Sequence, residues 1–274
     1  MIDFLKRGPR ALRRSAVQLG SLLALHSSWG PDVKWLCNPV LTCHSCALSW
    51  FACPIGVLTH YAGYRVFPYL LAATLLLIGV AAGRLLCGWV CPFGFLQDLL
   101  HRIPTRKIRL PRWSNVLKYV VLGALVILLP FMLGEQTVYS FCRVVCPASA
   151  LQVILPRLFT LGLAALTLTA ALKLTILVGV LALCILSSRA FCRVLCPIGA
   201  LMAPFNLFSL WRVRRPAGDC RTCGQCDRAC PTDARPSQRI RRHEDPSRAL
   251  DCVSCGECGR GCPHGANSLV RPVS

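Results

Sequence analysis

Long apolar runs alternate with short basic or polar segments along the first 210 residues. Three of the runs approach the length of about 20 residues that crosses a bilayer, and they are Val66–Ala82, Val116–Leu133 and Leu163–Leu186. A fourth run, Ala16–Ser28, is shorter and weaker. The pattern predicts membrane-spanning helices, and the distribution of charge decides how many.

Basic residues crowd the N-terminal arm, the segment 84–118 and everything after residue 188, whereas the segments 30–65 and 134–157 hold two each. The positive-inside rule predicts this alternation for four spans with both termini in the cytoplasm. We therefore expect residues 1–210 to be a mainly α-helical domain of about four transmembrane helices. The location is then the cytoplasmic membrane of a bacterium or archaeon, and no cleavable leader is expected because no A-x-A-like site follows the first apolar run.

The C-terminal segment carries two cysteine runs with the same spacing. Residues 220–231 read CRTCGQCDRACP and residues 252–263 read CVSCGECGRGCP. Each is C-x2-C-x2-C-x3-C-P, the run of bacterial two-cluster ferredoxins, in which the fourth cysteine binds the other cluster. Residues 211–274 are thus predicted to form a small α+β domain with two [4Fe–4S] clusters. The predicted ligand sets are Cys220, Cys223, Cys226 and Cys262 for one cluster, and Cys252, Cys255, Cys258 and Cys230 for the other. Two zinc knuckles are the structural alternative.

Cysteine pairs followed by proline also recur in the helical part, and the chain has 19 cysteines in all. Two cysteines at i and i+4 at a helix end project from one face, and proline keeps the preceding residue out of the helical conformation. On the predicted cytoplasmic side, such pairs supply four soft ligands for an iron–sulfur cluster, namely Cys87, Cys91, Cys192 and Cys196. The outer side holds a second group, namely Cys142, Cys146 and two or three of Cys43, Cys46 and Cys53.

The alternative for these membrane cysteines is a structural role, as buried thiols or disulfides. Cys37 and Cys184 fit neither spacing, and Cys184 is expected to pack as a small apolar residue within a span.

A quinone site requires an apolar slot with a few polar groups at membrane depth. The candidates are His26, His60 and Lys173. Lys173 interrupts an apolar run, so it either faces a partner or cavity, or extends its ammonium to the interface. Asp98 and His101 are expected to lie on a solvated helix face.

The formal net charge of +20 raises the question of an acidic partner. Between the two C-terminal runs lie five arginines, namely Arg235, Arg239, Arg241, Arg242 and Arg248. They form either a solvated basic loop or a docking patch for an acidic redox partner or the membrane surface. A nucleic-acid partner is not expected, because the positive-inside topology already accounts for the arginines.

The chain resembles the NapH-type ferredoxin quinol dehydrogenases. It shares with them the membrane spans, the paired C-x3-C-P units and the C-terminal two-cluster ferredoxin. The chain is also similar to the C-terminal part of NosR-type proteins and to other membrane polyferredoxins. The resemblance is carried by the inner quartet (Cys87, Cys91, Cys192 and Cys196) and the eight ferredoxin cysteines. It implies electron transfer between quinone or quinol and a redox partner, such as a cytochrome, a ferredoxin or a reductase subunit. Whether the chain is itself an enzyme, as a component of a quinol dehydrogenase, stays open.

The outer cysteines go beyond the two-motif NapH pattern and suggest an additional redox station. Two other functions remain as alternatives at this point. One is a maturation factor that keeps a metal or disulfide of a partner metalloenzyme reduced. The other is a subunit of a redox-driven ion pump, which usually has more spans and more intramembrane charges.

Overall fold

The computed structural model describes residues 9–27, 33–134, 140–162, 166–214, 220, 223–262 and 270–272. These residues are mostly helical, and two small two-stranded sheets accompany the helices. The first part comprises α1 (Pro9–Leu25), β1 (Val33–Cys37), β2 (Phe51–Ala52), α2 (Pro54–Gly63), α3 (Tyr69–Ala82), α4 (Leu85–Trp89) and α5 (Pro92–Leu100). Strands β1 and β2 are parallel.

Two longer helical stretches dominate the middle of the chain. The middle part comprises α6 (Ser114–Val120), a π-helical segment (Val121–Leu128), α7 (Leu129–Leu133), α8 (Ser140–Val144), α9 (Pro147–Ser149), a second π-helical segment (Ala150–Ile154), α10 (Leu155–Leu161) and α11 (Leu168–Leu186). Helix α11 packs against α5, α8 and α9, so it contacts both the first and the middle part of the chain.

The last part consists of short elements. It comprises α12 (Ala190–Val194), α13 (Pro197–Met202), a 3-10 turn (Pro204–Leu207), β3 (Trp211–Val213), α14 (Gln225–Ala229), α15 (Pro236–Arg241), a second 3-10 turn (Pro246–Arg248), α16 (Glu257–Arg260) and β4 (Val270–Pro272). Strands β3 and β4 pair antiparallel, and α14 packs against α16. The separate α+β ferredoxin domain over residues 211–274 stays a prediction.

Two of the four predicted spans are long and apolar enough to cross a bilayer. They are Ser114–Leu133 and Leu168–Leu186, each with a mean hydropathy of 2.4. Only 22% and 28% of these windows are buried within the protein. Their apolar surface therefore faces outward, as in helices that contact lipid and unlike the buried core helix of a soluble protein.

The other two predicted spans are shorter in the structure. Helix α3 has 14 residues and starts only after Pro68, so it is about 21 Å long against a hydrocarbon core of about 30 Å. Helix α1 has 17 residues and ends at Leu25. The fourth predicted span also starts later than expected, at Leu168, and residues 163–165 lie outside the described residues. Four spans therefore stay a prediction.

The interior of the helical part is built around the cysteine-proline units. Its largest core cluster includes Cys53, Cys91, Cys146 and Cys196 together with aliphatic and aromatic side chains. Phe93 and Phe191 meet edge to face with ring centroids 5.0 Å apart. Because Phe93 directly follows a Cys-Pro pair and Phe191 directly precedes a cysteine, this aromatic contact holds two of the units together.

Candidate iron–sulfur sites

Each cysteine-proline pair of the helical part marks the start of a helix. Proline is the first residue of α2, α5, α9 and α13, and the cysteine before it caps the helix with an extended backbone. The four capping cysteines are Cys53, Cys91, Cys146 and Cys196. This corrects the expectation that the two cysteines of a pair lie on one helix face. Proline excludes the helical conformation at the preceding residue, so the first helix ends between the cysteines.

The capping sulfur atoms accept backbone hydrogen bonds from the new helix. Gly199 N–H donates to Cys196 Sγ at 3.4 Å, and the N–H groups of Gly94 and Ser149 likewise bond Cys91 and Cys146. Burial raises the pKa of Cys91 to about 12 and of Cys146 to about 11, while the amides oppose the rise. A cationic centre is needed to hold these buried thiols as thiolates, which an iron–sulfur core supplies when bound.

The inner quartet is brought together in space. Its members are Cys87, Cys91, Cys192 and Cys196, all at most 9% exposed. Burial raises the pKa of Cys196, and the Cys192 and Cys87 sulfurs raise it further. The three sulfurs are therefore within electrostatic range of one another. The Gln97 side-chain N–H donates to Cys192 Sγ at 3.1 Å. Two cysteines from each of two distant units thus face one another.

Two buried arginines flank the inner quartet in a reciprocal arrangement. Arg84 and Arg189 each stand three residues before the first cysteine of their own unit, and they are 1% and 0% exposed. A Cβ added to Gly94 would lie 3.4 Å from Arg189 Nη2, and one added to Gly199 would lie 3.0 Å from Arg84 Nη2. Each arginine therefore reaches the Cys-Pro turn of the opposite unit. Buried cations offset the negative charge of a thiolate-bound cluster.

The outer cysteines form a second convergent group. Burial raises the pKa of Cys53, and the nearby Cys146 and Cys43 raise it further. Burial also raises the pKa of Cys142, which is raised further by Cys146, Cys53 and Cys43. Of the candidates in the first segment, Cys43 and Cys53 thus join the pair from α8 and α9. Cys46 is buried but does not figure among these interactions.

Some of the ferredoxin cysteines lie within electrostatic range of one another, and the grouping into two ligand sets stays a prediction. Burial raises the pKa of Cys252 well above its usual value, and the nearby Cys255, Cys230 and Cys258 raise it further. The pKa of Cys226 is raised to about 11, mainly by burial, and Cys220 contributes to the rise. A Cβ on Gly261 would approach Ala229 Cβ to 2.7 Å. The two runs therefore cross next to Cys230 and Cys262, the cysteines predicted to exchange between clusters.

The second ferredoxin run rests on the inner unit. A Cβ on Gly88 would collide with the Val253 carbonyl oxygen. Beside this contact, Trp89 Nε1 donates to the Ser254 carbonyl at 3.1 Å, and Asn206 Nδ2 donates to the Cys252 carbonyl at 2.7 Å. The turns that carry Cys87 and Cys252 therefore touch through backbone atoms.

Buried cations tie the same two parts together. Lys118, fully buried in the first candidate span, forms an ion pair with Asp251. Arg84 Nη1 donates to the Leu250 carbonyl at 2.7 Å. Arg189 lies within electrostatic range of both Cys192 and Cys255. One guanidinium thus interacts with a cysteine of the inner quartet and with a ferredoxin cysteine.

The chemistry of the donor sets fits iron–sulfur clusters better than single metal ions. Among the described residues, no three Cys, His, Asp or Glu side chains converge as the ligands of one metal ion would. In a [4Fe–4S] cube each cysteine binds a different iron, so its four ligands surround the cluster without meeting at one point. Sets made only of thiols, together with nearby cations and amide donors, match that requirement.

Sequence reasoning missed most of the polar groups around these sites. Arg84 and Lys118 were counted as loop charges but are buried, and Asp98 is not solvated as expected. Asp98 forms ion pairs with Arg14 and Arg189. The available signal was positional, because Arg84 and Arg189 share one offset from their cysteines. Gln97 and Gln152 likewise each stand six residues after a Cys-Pro cysteine.

The quinone-site candidates lie at different places. Lys173 is buried and does not extend to the interface, since Nζ donates to the Cys142 carbonyl at 2.8 Å and to Ser149 Oγ at 2.6 Å. His26 Nε2 and Gln152 Nε2 are 2.7 Å apart. The His60 ring packs against Tyr64 with centroids 4.7 Å apart. Cys184 is fully buried, as expected.

The basic insert of the ferredoxin region keeps both interpretations open. Arg239 pairs with Glu244 at 2.8 Å on the surface, while Arg241 and Arg242 are exposed. Exposed arginines suit either a solvated loop or a docking patch.

Three segments of the chain match the model of one protein family, the 4Fe-4S binding domain, at residues 64–111, 119–163 and 169–216. Each segment contains one C-x3-C-P unit, and together they cover about half of the chain. The chain belongs to this family. Iron–sulfur binding is therefore established for the helical part at the level of the family, whereas the finer resemblance to NapH and NosR is not established.

The curated relatives are distant, and the chain spans only part of their length. YccM of Escherichia coli (strain K12), named as a candidate electron transport protein, is 28% identical over 171 residues, which are 60% of this chain and 45% of YccM. The uncharacterized protein MJ0750 of Methanocaldococcus jannaschii is 26% identical over 168 residues, or 59% of this chain and 64% of that protein. The chain thus spans less than two thirds of either relative. No solved structure matches it.

Proposed function

We propose that the chain is a membrane-bound electron carrier. It passes electrons between the quinone pool and a respiratory redox partner, by way of a [4Fe–4S] site at the inner quartet and the two ferredoxin sites. The observation that carries the proposal is the backbone contact between the Gly88 turn and the Val253 turn. It puts the inner quartet directly beside the ferredoxin run that contains Cys252 and Cys255.

The chain's own groups prepare these sites for electron transfer. The clusters, when bound, supply one-electron chemistry. Gln97 and the amides of the Cys-Pro helices donate hydrogen bonds to the inner sulfurs, and such bonds set reduction potentials. Arg84 and Arg189 add positive charge in a buried setting, which favours the reduced, more negative state of a nearby centre.

Membrane association is supported by the two outward-facing apolar helices, and electron transport by the name of YccM. With both termini in the cytoplasm, the ferredoxin region faces a soluble or peripheral partner. The exposed Arg241 and Arg242 suit an acidic surface on that partner.

His26 is the quinone-site residue that we favour. Its ring contacts the Gln152 amide, whose oxygen accepts the Cys43 N–H at 2.7 Å. A quinol that is oxidised there loses two electrons and two protons. The electrons leave one at a time, and an imidazole is a suitable first acceptor for a proton.

The maturation role remains the second candidate, because the outer cysteines exceed the needs of a cytoplasmic carrier. Thiol exchange with a partner disulfide requires an accessible thiolate. Cys43, Cys53 and Cys146 are only 8%, 6% and 6% exposed. Their burial counts against direct thiol exchange and favours a role in electron transfer.

The test uses the full chain, purified without oxygen and placed in lipid nanodiscs. Excess quinol is added, and reduction of the ferredoxin clusters is followed by electron paramagnetic resonance; the reverse reaction starts from dithionite-reduced protein and quinone. We expect electron exchange in at least one direction. Cys192→Ser should abolish it while the two ferredoxin signals persist, because Cys192 belongs to the inner quartet only.

Cys37→Ser is the matched control, since Cys37 is equally buried but belongs to no cysteine pair, and it should exchange electrons at the wild-type rate. Exchange in neither direction by the wild-type chain, with all its clusters present, would rule out the proposed function.

A further inference from the structure

We propose that the outer cysteines Cys43, Cys53, Cys142 and Cys146 bind a further [4Fe–4S] cluster, and that Lys173 is its counter-charge. The site would extend the electron path of the proposed function, although its occupancy can be tested independently of that function. Three features of the structure lead to this inference, namely a repeated building plan, a buried cation and the connection to the inner quartet.

The outer site repeats the plan of the inner one. At each Cys-Pro helix start, a cationic or titratable side chain covers the third residue after the cysteine. Arg189 covers Gly94, Arg84 covers Gly199, and His44 Nδ1 would lie 2.6 Å from a Cβ on Gly56. At the fourth start the residue is Ser149, and Lys173 Nζ bonds its hydroxyl at 2.6 Å. Lys173 thus takes the place that an arginine has in the inner site, although it comes from a different helix.

The buried ammonium of Lys173 is best balanced by a nearby anion. The side chain belongs to the candidate span Leu168–Leu186 and is 5% exposed. Among the described residues, the acidic groups within electrostatic range of its ammonium are three thiols, Cys43, Cys142 and Cys146, and none is an aspartate or glutamate. Disulfides or neutral thiols would leave the buried ammonium without an anionic partner, held only by the Cys142 carbonyl and the Ser149 hydroxyl. A cube held by four thiolates is a net anion and resolves this.

Further polar groups hold the outer ligands in place. Gln152 Oε1 accepts the Cys43 N–H, as described above, and N–H groups of Gly56 and Ser149 bond the sulfurs of Cys53 and Cys146. The Gln152 side chain stands six residues after Cys146, as Gln97 stands six residues after Cys91. Both sites therefore use the same side chain at the same offset to contact a cysteine of another unit.

One short stretch of chain connects the two sites. The Leu41 N–H bonds the sulfur of Cys91 in the inner quartet, and Cys43 of the outer group follows two residues later. Two residues span about 7 Å at most. The outer site therefore lies next to the inner one, in a position to exchange electrons with it.

The first experiment counts iron and acid-labile sulfide in the full chain purified without oxygen. Four clusters correspond to about sixteen irons per chain, and three clusters to about twelve. The wild-type chain should contain about sixteen, and the double variant Cys53→Ala/Cys146→Ala about twelve. Cys46→Ala and Cys37→Ala should retain about sixteen, because neither residue belongs to the four. About twelve irons in the wild type would overturn the site without the need for any variant.

The second experiment tests Lys173 through the reduction potential. Lys173→Met removes the charge, so the outer cluster should titrate at a more negative potential in spectroscopically monitored redox titrations, or be lost. Lys173→Arg keeps the charge and should restore both iron content and potential. An unchanged iron content together with an unchanged potential in Lys173→Met would overturn the counter-charge role.

The outcomes separate this inference from the proposed function. Twelve irons with electron exchange between quinone and the ferredoxin clusters would leave the carrier function intact and exclude the outer site. Sixteen irons without any exchange with quinone would establish the outer site and exclude the carrier function.

Discussion

One carboxylate has surroundings that differ from those that the sequence pattern predicts. Asp98 looks like a solvated charge at the end of a short helix, yet it receives Arg14 from α1 and Arg189 from the inner unit. Burial pushes the pKa of Asp98 up, but the two arginines outweigh it and hold the pKa below the ordinary value. These partners lie 84 and 91 residues away, so no local pattern reveals them.

Asp98→Asn should therefore destabilise the helical part, because it removes the carboxylate that pairs with the buried Arg189 and one of the two carboxylates that pair with Arg14, the other being Glu257. Breaking a buried pair costs roughly 3–5 kcal/mol, and the 21% exposure of the Asp98 side chain suggests the lower end of that range. Chemical unfolding in detergent measures the difference. Glu244→Gln, which breaks an exposed pair with Arg239, is the control and should cost less than about 1 kcal/mol.

The pH dependence of that difference follows from the lowered pKa. A depressed carboxylate contributes its full stabilisation above the unfolded-state pKa of about 3.9 and loses it as the pH falls through the lower, folded-state value. The gap between wild type and Asp98→Asn should be constant from pH 5 to pH 8 and shrink only below about pH 4. A gap that changes between pH 5 and pH 7 would contradict this assignment.

At the scale of elements, the recurring unit is a five-residue helix, a break at Cys-Pro and a new helix. Helices α4, α8 and α12 each carry the first cysteine of a pair, and the second cysteine begins the next helix. Proline could be placed at these helix starts from the sequence. The contact between the units could not be predicted from the sequence, because it depends on which helices pack together in the fold.

Gly88 marks the closest of these contacts. A methyl group there would overlap the Val253 carbonyl, and overpacking of this kind costs about 1–3 kcal/mol. Gly88→Ala should loosen the ferredoxin run from the inner unit. We expect faster amide hydrogen exchange at residues 250–256 and slower electron exchange with quinol, at unchanged iron content.

Gly20→Ala supplies the comparison, because a Cβ at Gly20 meets nothing within 4 Å. Equal hydrogen exchange in Gly88→Ala and Gly20→Ala would show that the turn does not hold the ferredoxin region.

At the scale of the whole molecule, the cysteine sites form a series. The outer group connects through Leu41 to the inner quartet, and the inner quartet connects through Gly88 to the ferredoxin run. Such a series suits a protein that passes electrons in short steps between neighbouring sites. The direction of the series relative to the membrane depends on the number of spans.

Reporter fusions distinguish four spans from two. With four spans, a fusion after residue 65 lies outside and one after residue 110 lies inside; with two spans, both lie inside. We expect alkaline phosphatase to be active and green fluorescent protein to be dark after residue 65, and the reverse after residues 110 and 274. A fluorescent fusion after residue 65 would leave Ser114–Leu133 and Leu168–Leu186 as the only spans among the described helices.

The sequence by itself determined which residues carry the chemistry. The spacing of cysteines is a local property, because three thiols of one loop must reach one cluster, and the run of apolar residues is likewise local. The two long apolar helices could therefore be predicted without the fold. The ferredoxin ligand sets and the inner quartet are predictions that rest on cysteine spacing alone.

Only the tertiary structure decided what surrounds those residues. The sequence pattern places Arg84 and Lys118 among loop charges and Lys173 as a charge within a span. All three are buried because they contact segments that are distant in the chain. The structure also placed Cys43 within electrostatic range of Cys53 and Cys142, and the ferredoxin run on Gly88. Pairing of charges and packing of backbones depend on three-dimensional proximity between segments far apart in the chain, which local sequence patterns do not encode.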